Sequence, residues 1–378
     1  MADWKFGSAL KYGAHAIEKR IDSVKRVTKR KFNLLDPICI MPYDGYGNQD
    51  RWYLRGRVLE ELGIPEPSED ASWWQNARSM TRRFTSAEIP YVRVRATVDD
   101  QSWEVQTDEE GYFHFELQPN RFRVDKLWHP VHLEVLDQVV KGQGAVNATG
   151  EIAVAPPRAE YGVISDIDDT VLHSRATDLF RLVRLTMLHN SRTRVVLPGV
   201  PAFYQSLRRG ASGNAANPFF YVSSSAWNLY DAMQDFLSYH ELPRGPILLR
   251  DLGIDKTKFI KTGHRHKLDK ICQILETIDS LPFVLIGDAG QKDPQLYTEV
   301  VKRFPGRVKA IYIRQVSWKD RRSTIESLAE EMKQASPDVE LRLIEDTAAA
   351  AEHAAQLKLI DPASVGEVAE ACAAAQES

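Results

Sequence analysis

Three features that would mark out whole classes of protein are scarce or missing in this chain. It has only three cysteines, widely spaced and without a CxxC pair, so neither a disulfide framework nor a zinc site is expected. It contains no run of about 18 apolar residues, so no segment is expected to span a membrane. The N-terminus lacks the apolar stretch of a secretion signal. These absences favour a reducing compartment, and we expect the protein in the cytoplasm.

The chain also lacks a large excess of charge of either sign. The formal net charge is -3 at pH 7, which argues against a protein that binds nucleic acid over its whole surface. Hydrophobic residues make up 43% of the chain, so it can bury a sizeable core. A length of 378 residues predicts about two domains.

The most informative stretch runs from Tyr161 to Thr170, where a short apolar strand ends in clustered acidic residues. Asp166, Asp168 and Asp169 stand close together there. Crowded carboxylates repel one another unless a cation neutralises them, and carboxylate oxygens beside a phosphate are typical ligands of Mg2+. One carboxylate can attack phosphorus, and a second can move the proton of the leaving group or of the water. The stretch therefore indicates Mg2+-dependent phosphoryl transfer through an aspartyl-phosphate.

Two other interpretations of this stretch compete with phosphoryl transfer. A calcium loop of the EF-hand type requires Gly at its sixth position and Glu at its twelfth, where this chain has Val171 and Thr177. An acidic turn that caps a helix fits the residues, because Asp and Thr are good N-caps. The five residues alone do not decide between a site and a cap.

Further polar groups follow apolar segments in the C-terminal half of the chain. Ser223 directly follows one such segment, Asp288 and Asp293 follow another, and Lys267 lies between them in sequence. In an open parallel α/β sheet, the carboxyl ends of the strands meet at a switch point where ligands bind. Taken singly, Lys267 would be a solvated helix lysine and Asp288 a turn residue. Their common order favours one shared site.

This order resembles the motif order of the haloacid dehalogenase superfamily of phosphotransferases. Three longer segments are similar to the actin-patch phosphatidate phosphatase family within it: Val222–Tyr230, His266–Leu268 and Leu285–Tyr297. The resemblance covers roughly residues 158 to 360. It implies a phosphoric monoester hydrolase that uses Mg2+ and acts on a lipid phosphate such as phosphatidate.

The resemblance also implies a role for each candidate residue. Asp166 would be the nucleophile and Asp168 the general acid and base, while Ser223 and Lys267 would hold the transferring phosphoryl group. The Mg2+ ligands would be Asp166, the backbone carbonyl of Asp168, Asp288 and Asp293. Ser224 and Ser225 make the choice of serine ambiguous, although the first hydroxyl after the strand is preferred.

Periodicity divides the chain into sections. Strands near 162–165, 218–223, 246–250, 282–287, 308–313 and 339–344 alternate with helical stretches, which predicts a doubly wound α/β sheet. The resemblance implies that this sheet is a haloacid dehalogenase-like domain over 158–362. An Ala-rich tail over 363–378 is expected to fray. A linker is predicted from Gly142 to Pro157.

Residues 36–145 are predicted to form a small β-sandwich-like module. Apolar and polar residues alternate in Tyr91–Val98, Phe113–Leu117 and Val131–Val135, as expected for strands with one buried face. Thr107–Gly111 is predicted to be a hairpin turn. The module contains no evident catalytic set, and the sequence does not identify its protein partner.

Residues 1–35 predict one amphipathic basic helix. Nine Lys and Arg residues stand against three acidic ones, an excess of +6. Such a helix could lie on an anionic membrane surface. The alternative, which we prefer, is packing against the next domain with a solvated basic face, because the apolar stripe is narrow.

Three functions remain open. The first is a phosphatase of a lipid phosphate at a membrane surface, favoured because the stretch over 172–198 is too short for a full cap domain and leaves the site open to a bulky substrate. The second is a phosphatase of a soluble phosphoester or phosphoprotein. The third is a non-catalytic membrane or protein adaptor, which the intact acidic set argues against.

Overall fold

The computed structural model describes residues 37–60, 88–167, 196–250, 264–289, 292–315 and 322–377. These residues form two β-sheets, and helices pack on the second sheet only. The predicted N-terminal helix and most of the stretch over 172–198 lie outside the described residues. Within the described ranges, no helix has both the length and the apolarity that crossing a bilayer requires.

The first sheet forms the predicted β module. Its strands are β1 (Ile38–Pro42), β2 (Gly45–Gly47), β3 (Trp52–Glu60), β4 (Arg93–Val98), β5 (Gln101–Gln106), β6 (Tyr112–Leu117), β7 (Trp128–Val135) and β8 (Asn147–Val154). β1 and β2 pair along β3, which also pairs with β6. β2 pairs with β8, and the order continues through β7 and β4 to β5.

Burial alternates along these strands as the sequence pattern predicts. β4, β6 and β7 each place every second residue in the interior, which is the pattern of a sheet with one face on a core. The interior is aromatic and aliphatic, with Trp52, Phe113 and Phe115 fully buried. The module therefore has a hydrophobic core of its own.

Two predictions for this module are wrong. The turn over 107–111 does not close a hairpin, because β5 pairs with β4 whereas β6 pairs with β3. Its turn geometry is nevertheless real, since Gly111 has a φ of 79° that only glycine adopts without strain. The predicted linker contains strand β8, which pairs with both β7 and β2.

The second sheet is the predicted parallel sheet. Its strands are β9 (Gly162–Asp166), β10 (Phe219–Ala226), β11 (Ile247–Arg250), β12 (Phe283–Asp288), β13 (Val308–Arg314) and β14 (Glu340–Ile344). All neighbours pair in parallel, in the order β11-β10-β9-β12-β13-β14. The chain moves outward from β9 on one side and then continues at β12 on the other. β9 therefore lies at the switch point of the sheet.

Helices cover both faces of this sheet. They are α1 (Val200–Arg209), α2 (Tyr230–Tyr239), α3 (His264–Thr277), α4 (Asp293–Arg303), α5 (Arg322–Ala335), α6 (Thr347–Gln356) and α7 (Ser364–Glu377). Residues of α1, α2, α6 and α7 share one core, and residues of α3, α4 and α5 share the other. Strands buried on both faces are continuous apolar runs, which is why the sequence located them well.

The C-terminal tail differs from its prediction. Residues 364–377 form α7, which buries Val368 completely in the core beside α1. Arg209 of α1 also forms an ion pair with Glu367, at 2.6 Å. The tail is therefore part of the packed α/β unit. That this unit has a haloacid dehalogenase-like fold stays a prediction.

Candidate active site

Asp166 is the last residue of β9 and is only 1% exposed. β10 flanks it on one side, where Val222 is its register partner, and β12 flanks it on the other. Because β9 is the strand at which the order of the sheet reverses, Asp166 lies where parallel sheets bind their ligands. The strand that carries it is apolar and fully buried, so its end position is well defined.

Asp288 and Asp293 reach the same place from the neighbouring strand. Asp288 ends β12, Asp293 begins α4, and both are fully buried. The backbone N–H of Asp288 donates to Oδ2 of Asp293 at 3.3 Å. A Cβ atom on Gly287 would lie 2.7 Å from the same oxygen, so the glycine allows the helix start to approach the strand end this closely.

Lys267 from α3 points into this group. Its ammonium nitrogen lies 2.9 Å from Oδ1 of Asp166 and 2.7 Å from Oδ1 of Asp293, and the residue is 2% exposed. The neighbouring His266 donates from Nε2 to the carbonyl of Leu249 at 3.0 Å, because a carbonyl oxygen can only accept. That bond ties the start of α3 to the end of β11 and so directs Lys267 inward.

The donor set fits a divalent cation. Asp166, Asp288 and Asp293 each offer a carboxylate oxygen, and these oxygens lie within 4.8 Å of one another. Three carboxylates and one ammonium leave a net charge of -2, which a divalent ion would balance. Burial raises the pKa of Asp293 to about 6, since the attraction of Lys267 does not fully offset desolvation and the nearby Asp166. Hard oxygen ligands of this kind suit Mg2+.

The three consecutive serines of β10 differ in how far they are exposed. Ser223 and Ser225 are buried in β10, whereas Ser224 is partly exposed. Oγ of Ser223 accepts a hydrogen bond from the backbone N–H of Ser225 at 3.0 Å. Ser223 immediately follows Val222, the register partner of Asp166, so it is next to the nucleophile candidate along the sheet edge. Asp168 lies outside the described residues, and its role stays a prediction.

Sequence reasoning missed a hydrogen-bond relay beneath Asp166. Oγ of Ser165 donates to the backbone carbonyl of Asp166 at 2.8 Å, and it lies 2.7 Å from the hydroxyl of Tyr204 on α1. Because the serine proton is already used, the Tyr204 hydroxyl is the donor to Ser165. Burial raises the pKa of Tyr204, so this hydroxyl keeps its proton. The sequence feature that could have indicated these hydrogen bonds is Ser165, a polar residue within an apolar strand.

Comparison with known proteins points to one family for the α/β unit. Residues 161–315 match the family described as "Phosphatidate phosphatase APP1, catalytic domain". Over 155 residues the chain is 34% identical to phosphatidate phosphatase APP1 of Saccharomyces cerevisiae, which covers 40% of this chain and 25% of that protein. An uncharacterized protein of Schizosaccharomyces pombe is 27% identical over 279 residues, 70% of this chain and 43% of that one. The chain thus spans less than half the length of these relatives.

Two of the solved structures that match the chain have low structural similarity to it. A β-glucuronidase of Parabacteroides merdae has 9% identity and a TM-score of 0.24, covering 81% of this chain and 40% of its own. A carbohydrate acetylesterase from Xanthomonas citri has 13% identity and a TM-score of 0.24, covering 77% and 72%. Scores this low carry no argument about fold or function. The sequence comparisons show a likeness over residues 161–315, which match the catalytic-domain family of phosphatidate phosphatase APP1.

Proposed function

We propose that this protein is a Mg2+-dependent phosphatase that hydrolyses phosphoric monoesters through an aspartyl-phosphate on Asp166, within a haloacid dehalogenase-like domain. The observation that carries the proposal is the buried group of three carboxylates at the switch point of a parallel sheet, with the Lys267 ammonium between two of them. The relationship of residues 161–315 to a phosphatidate phosphatase supports the same chemistry.

The Mg2+ ligands would be Asp166, Asp288 and Asp293, together with the backbone carbonyl of Asp168. When bound, the ion would neutralise charge on the phosphate and on the clustered carboxylates. The -2 charge of the described group is what makes a divalent ion fit there. In its presence Lys267 would be released from the carboxylates to hold a phosphoryl oxygen, as a compact point charge can.

The reaction would run in two steps. In the first, a carboxylate oxygen of Asp166 attacks phosphorus and the bond from phosphorus to the leaving oxygen breaks, while Asp168 gives that oxygen its proton. In the second, Asp168 takes a proton from water as the water attacks phosphorus. The bond between phosphorus and Asp166 then breaks, which releases inorganic phosphate and restores the carboxylate.

Ser223 and Lys267 would act on the phosphoryl group itself. The transition state of phosphoryl transfer spreads negative charge over the equatorial oxygens, so positioned donors and positive charge contribute most of the stabilisation. A hydroxyl donor on β10, just past its pairing with β9, and an ammonium at the start of α3 would approach the group from two elements. Both residues are buried, so water would weaken neither interaction.

The substrate we propose is a lipid phosphate, with phosphatidate as the first candidate, because the yeast relative is named for that activity. A soluble phosphoester or phosphoprotein is the alternative. A panel of phosphate esters, with phosphatidate in mixed micelles, separates the two by the ratio of kcat/KM values. We expect phosphatidate to be the better substrate and every activity to require Mg2+.

The matched control is Asp166→Asn in the same full-length chain. An amide nitrogen cannot attack phosphorus, so phosphate release should cease while circular dichroism and melting temperature remain close to those of the parent. Turnover by the folded variant would remove Asp166 as nucleophile. If the parent protein releases no phosphate from any ester, the proposed enzymatic function is rejected in favour of a non-catalytic adaptor.

A further inference from the structure

The segment that carries Ser223, residues 223–230, begins where the regular pairing of β10 ends. Pairing of β10 with β9 ends at Val222, and its pairing with β11 is irregular between Val222 and Ala226. Pairing with β11 resumes at Ala226, opposite Arg250, so Ser223, Ser224 and Ser225 lie in the irregular stretch between two paired positions. Contacts outside the regular ladder therefore also bear on where this segment lies.

The next anchored residues of the segment are aromatic, and their partner comes from the β module. Tyr43, which joins β1 to β2, is 3% exposed. Its ring stacks on Trp227 with centroids 4.7 Å apart and planes at 18°, and it lies 4.3 Å from the ring of Tyr230. The Trp227 indole N–H is buried and has no acceptor among the described residues. Ring stacking, rather than a hydrogen bond, thus holds this tryptophan.

The Arg55 side chain and the backbone of Asp44, both in the β module, reinforce the same contact. The Arg55 guanidinium lies 4.7 Å from the Trp227 ring centroid and 4.8 Å from that of Tyr112. The backbone N–H of Asp44 donates to the hydroxyl of Tyr230 at 2.7 Å. The segment after Ser223 is therefore contacted by three residues of the β module, Tyr43 and Asp44 between β1 and β2 and Arg55 on β3.

The two units are also joined away from this segment. Arg244 binds both carboxylate oxygens of Asp44, at 2.9 and 2.6 Å, and forms an ion pair with Glu151 of β8. On the other face of the parallel sheet, Tyr46 packs edge-on against Phe220 with centroids 5.7 Å apart. Tyr43 and Tyr46 belong to the two cores of the α/β unit. A module tethered by a flexible linker would not share those cores.

We propose that the β module is a fixed part of the catalytic unit, and that Tyr43 is a positioning residue that acts through Trp227 on the segment carrying Ser223. The expected effect on turnover rests on the proposed function, whereas the structural role of Tyr43 does not depend on it. It gives the β module a role in the reaction without giving it a substrate contact.

The test compares Tyr43→Ala with Tyr43→Phe and with Phe115→Leu in the full chain. Phe115 is a buried aromatic in the core of the β module, where its ring packs against Phe113. We expect Tyr43→Ala to lower kcat/KM on a small soluble ester roughly 10- to 100-fold, as a misplaced group near the reacting atoms would. Tyr43→Phe keeps the ring and should retain parent kinetics, as should Phe115→Leu despite any loss of stability.

Two further readouts make the proposal falsifiable. If Tyr43 acts through Ser223, the Tyr43→Ala loss should shrink in a Ser223→Ala background, since coupled sites are not additive. Amide hydrogen exchange over residues 223–230 should accelerate in Tyr43→Ala and not in Phe115→Leu, whatever the substrate. Parent-like exchange and kinetics in Tyr43→Ala overturn the inference. A parent without activity on any ester rejects the proposed function alone, and the exchange result then decides the positioning role.

Discussion

Lys267→Met is the most informative perturbation of the charged group. Among the described residues, the site holds three buried carboxylates and one buried ammonium, with nitrogen-to-oxygen distances of 2.9 and 2.7 Å. Methionine is similarly long and unbranched, so it removes the charge without opening a large cavity. The net charge of the metal-free group changes from -2 to -3.

Breaking a buried ion pair by removing one partner costs about 3–5 kcal/mol, because the remaining charge stays buried. For a unit of this size, each kcal/mol lowers the melting temperature by about 2–4 °C. We therefore expect Lys267→Met to melt about 6–20 °C below the parent in excess chelator. Added Mg2+ should recover part of that loss, since a divalent ion offsets the excess charge.

Two variants control this experiment, which is read by thermal unfolding with circular dichroism. Lys302→Met also breaks a lysine–carboxylate pair, with Glu331, but both side chains are more than 40% exposed, so its melting temperature should hardly change. Adding Asp293→Asn to Lys267→Met returns the charge to -2 and should restore part of the stability. A Lys267→Met protein as stable as Lys302→Met would refute the reasoning.

Three more predictions follow from the site and the sequence. Tyr204→Phe keeps the buried ring but removes the donor to Ser165; kcat/KM should fall several-fold, given about 1 kcal/mol per hydrogen bond, and unchanged kinetics would remove the relay from the site. Activity should vanish in chelator, Ca2+ should inhibit, and Asp288→Ala should raise the Mg2+ requirement; full activity in excess chelator would contradict the metal mechanism. Deleting residues 1–32 tests the two roles of the basic helix: a membrane-surface helix requires the deletion to abolish salt-sensitive sedimentation with anionic vesicles, whereas the packing that we prefer predicts equal sedimentation of both forms, and soluble-ester turnover should be unchanged in either case.

The parallel sheet could be predicted from the sequence because its strands, apart from the partly exposed edge strand β14, are buried on both faces. Segments such as Val163–Ile164 and Phe283–Ile286 contain only apolar residues, and such runs are hard to confuse with loops. The strand ends then followed from the acidic residues after them. Asp166, Asp288 and Asp293 were named on this ground and Lys267 from its place in the motif order, and the structure brings all four together.

The β module was harder to predict, because a local sequence pattern does not determine which strands pair with one another. β8 begins with the polar and small residues 147–150 and lies between Gly- and Pro-containing segments, so the sequence predicted a linker there. The turn over 107–111 has the residues of a hairpin, but it connects strands that pair elsewhere. Turn chemistry fixes the local geometry and leaves the pairing of the flanking strands open.

Contacts between distant residues were beyond sequence reasoning. Ser165 and Tyr204 are 39 positions apart, and neither belongs to a motif that would connect them. Tyr43 and Trp227 lie in different units, and their stacking depends on how the two units pack. Single-sequence patterns describe faces and ends of elements, whereas these contacts require the tertiary arrangement.

The central claim is that Asp166 carries the phosphoryl group, and its location can be measured directly. In Asp168→Asn, attack on a good leaving-group ester should proceed while hydrolysis of the phospho-enzyme slows, because no carboxylate activates the water. Acid quenching in Mg2+ followed by peptide mapping by mass spectrometry should place one phosphoryl group on Asp166. A phosphoryl group on Ser223, or none on a variant that still releases the leaving group, would contradict the mechanism.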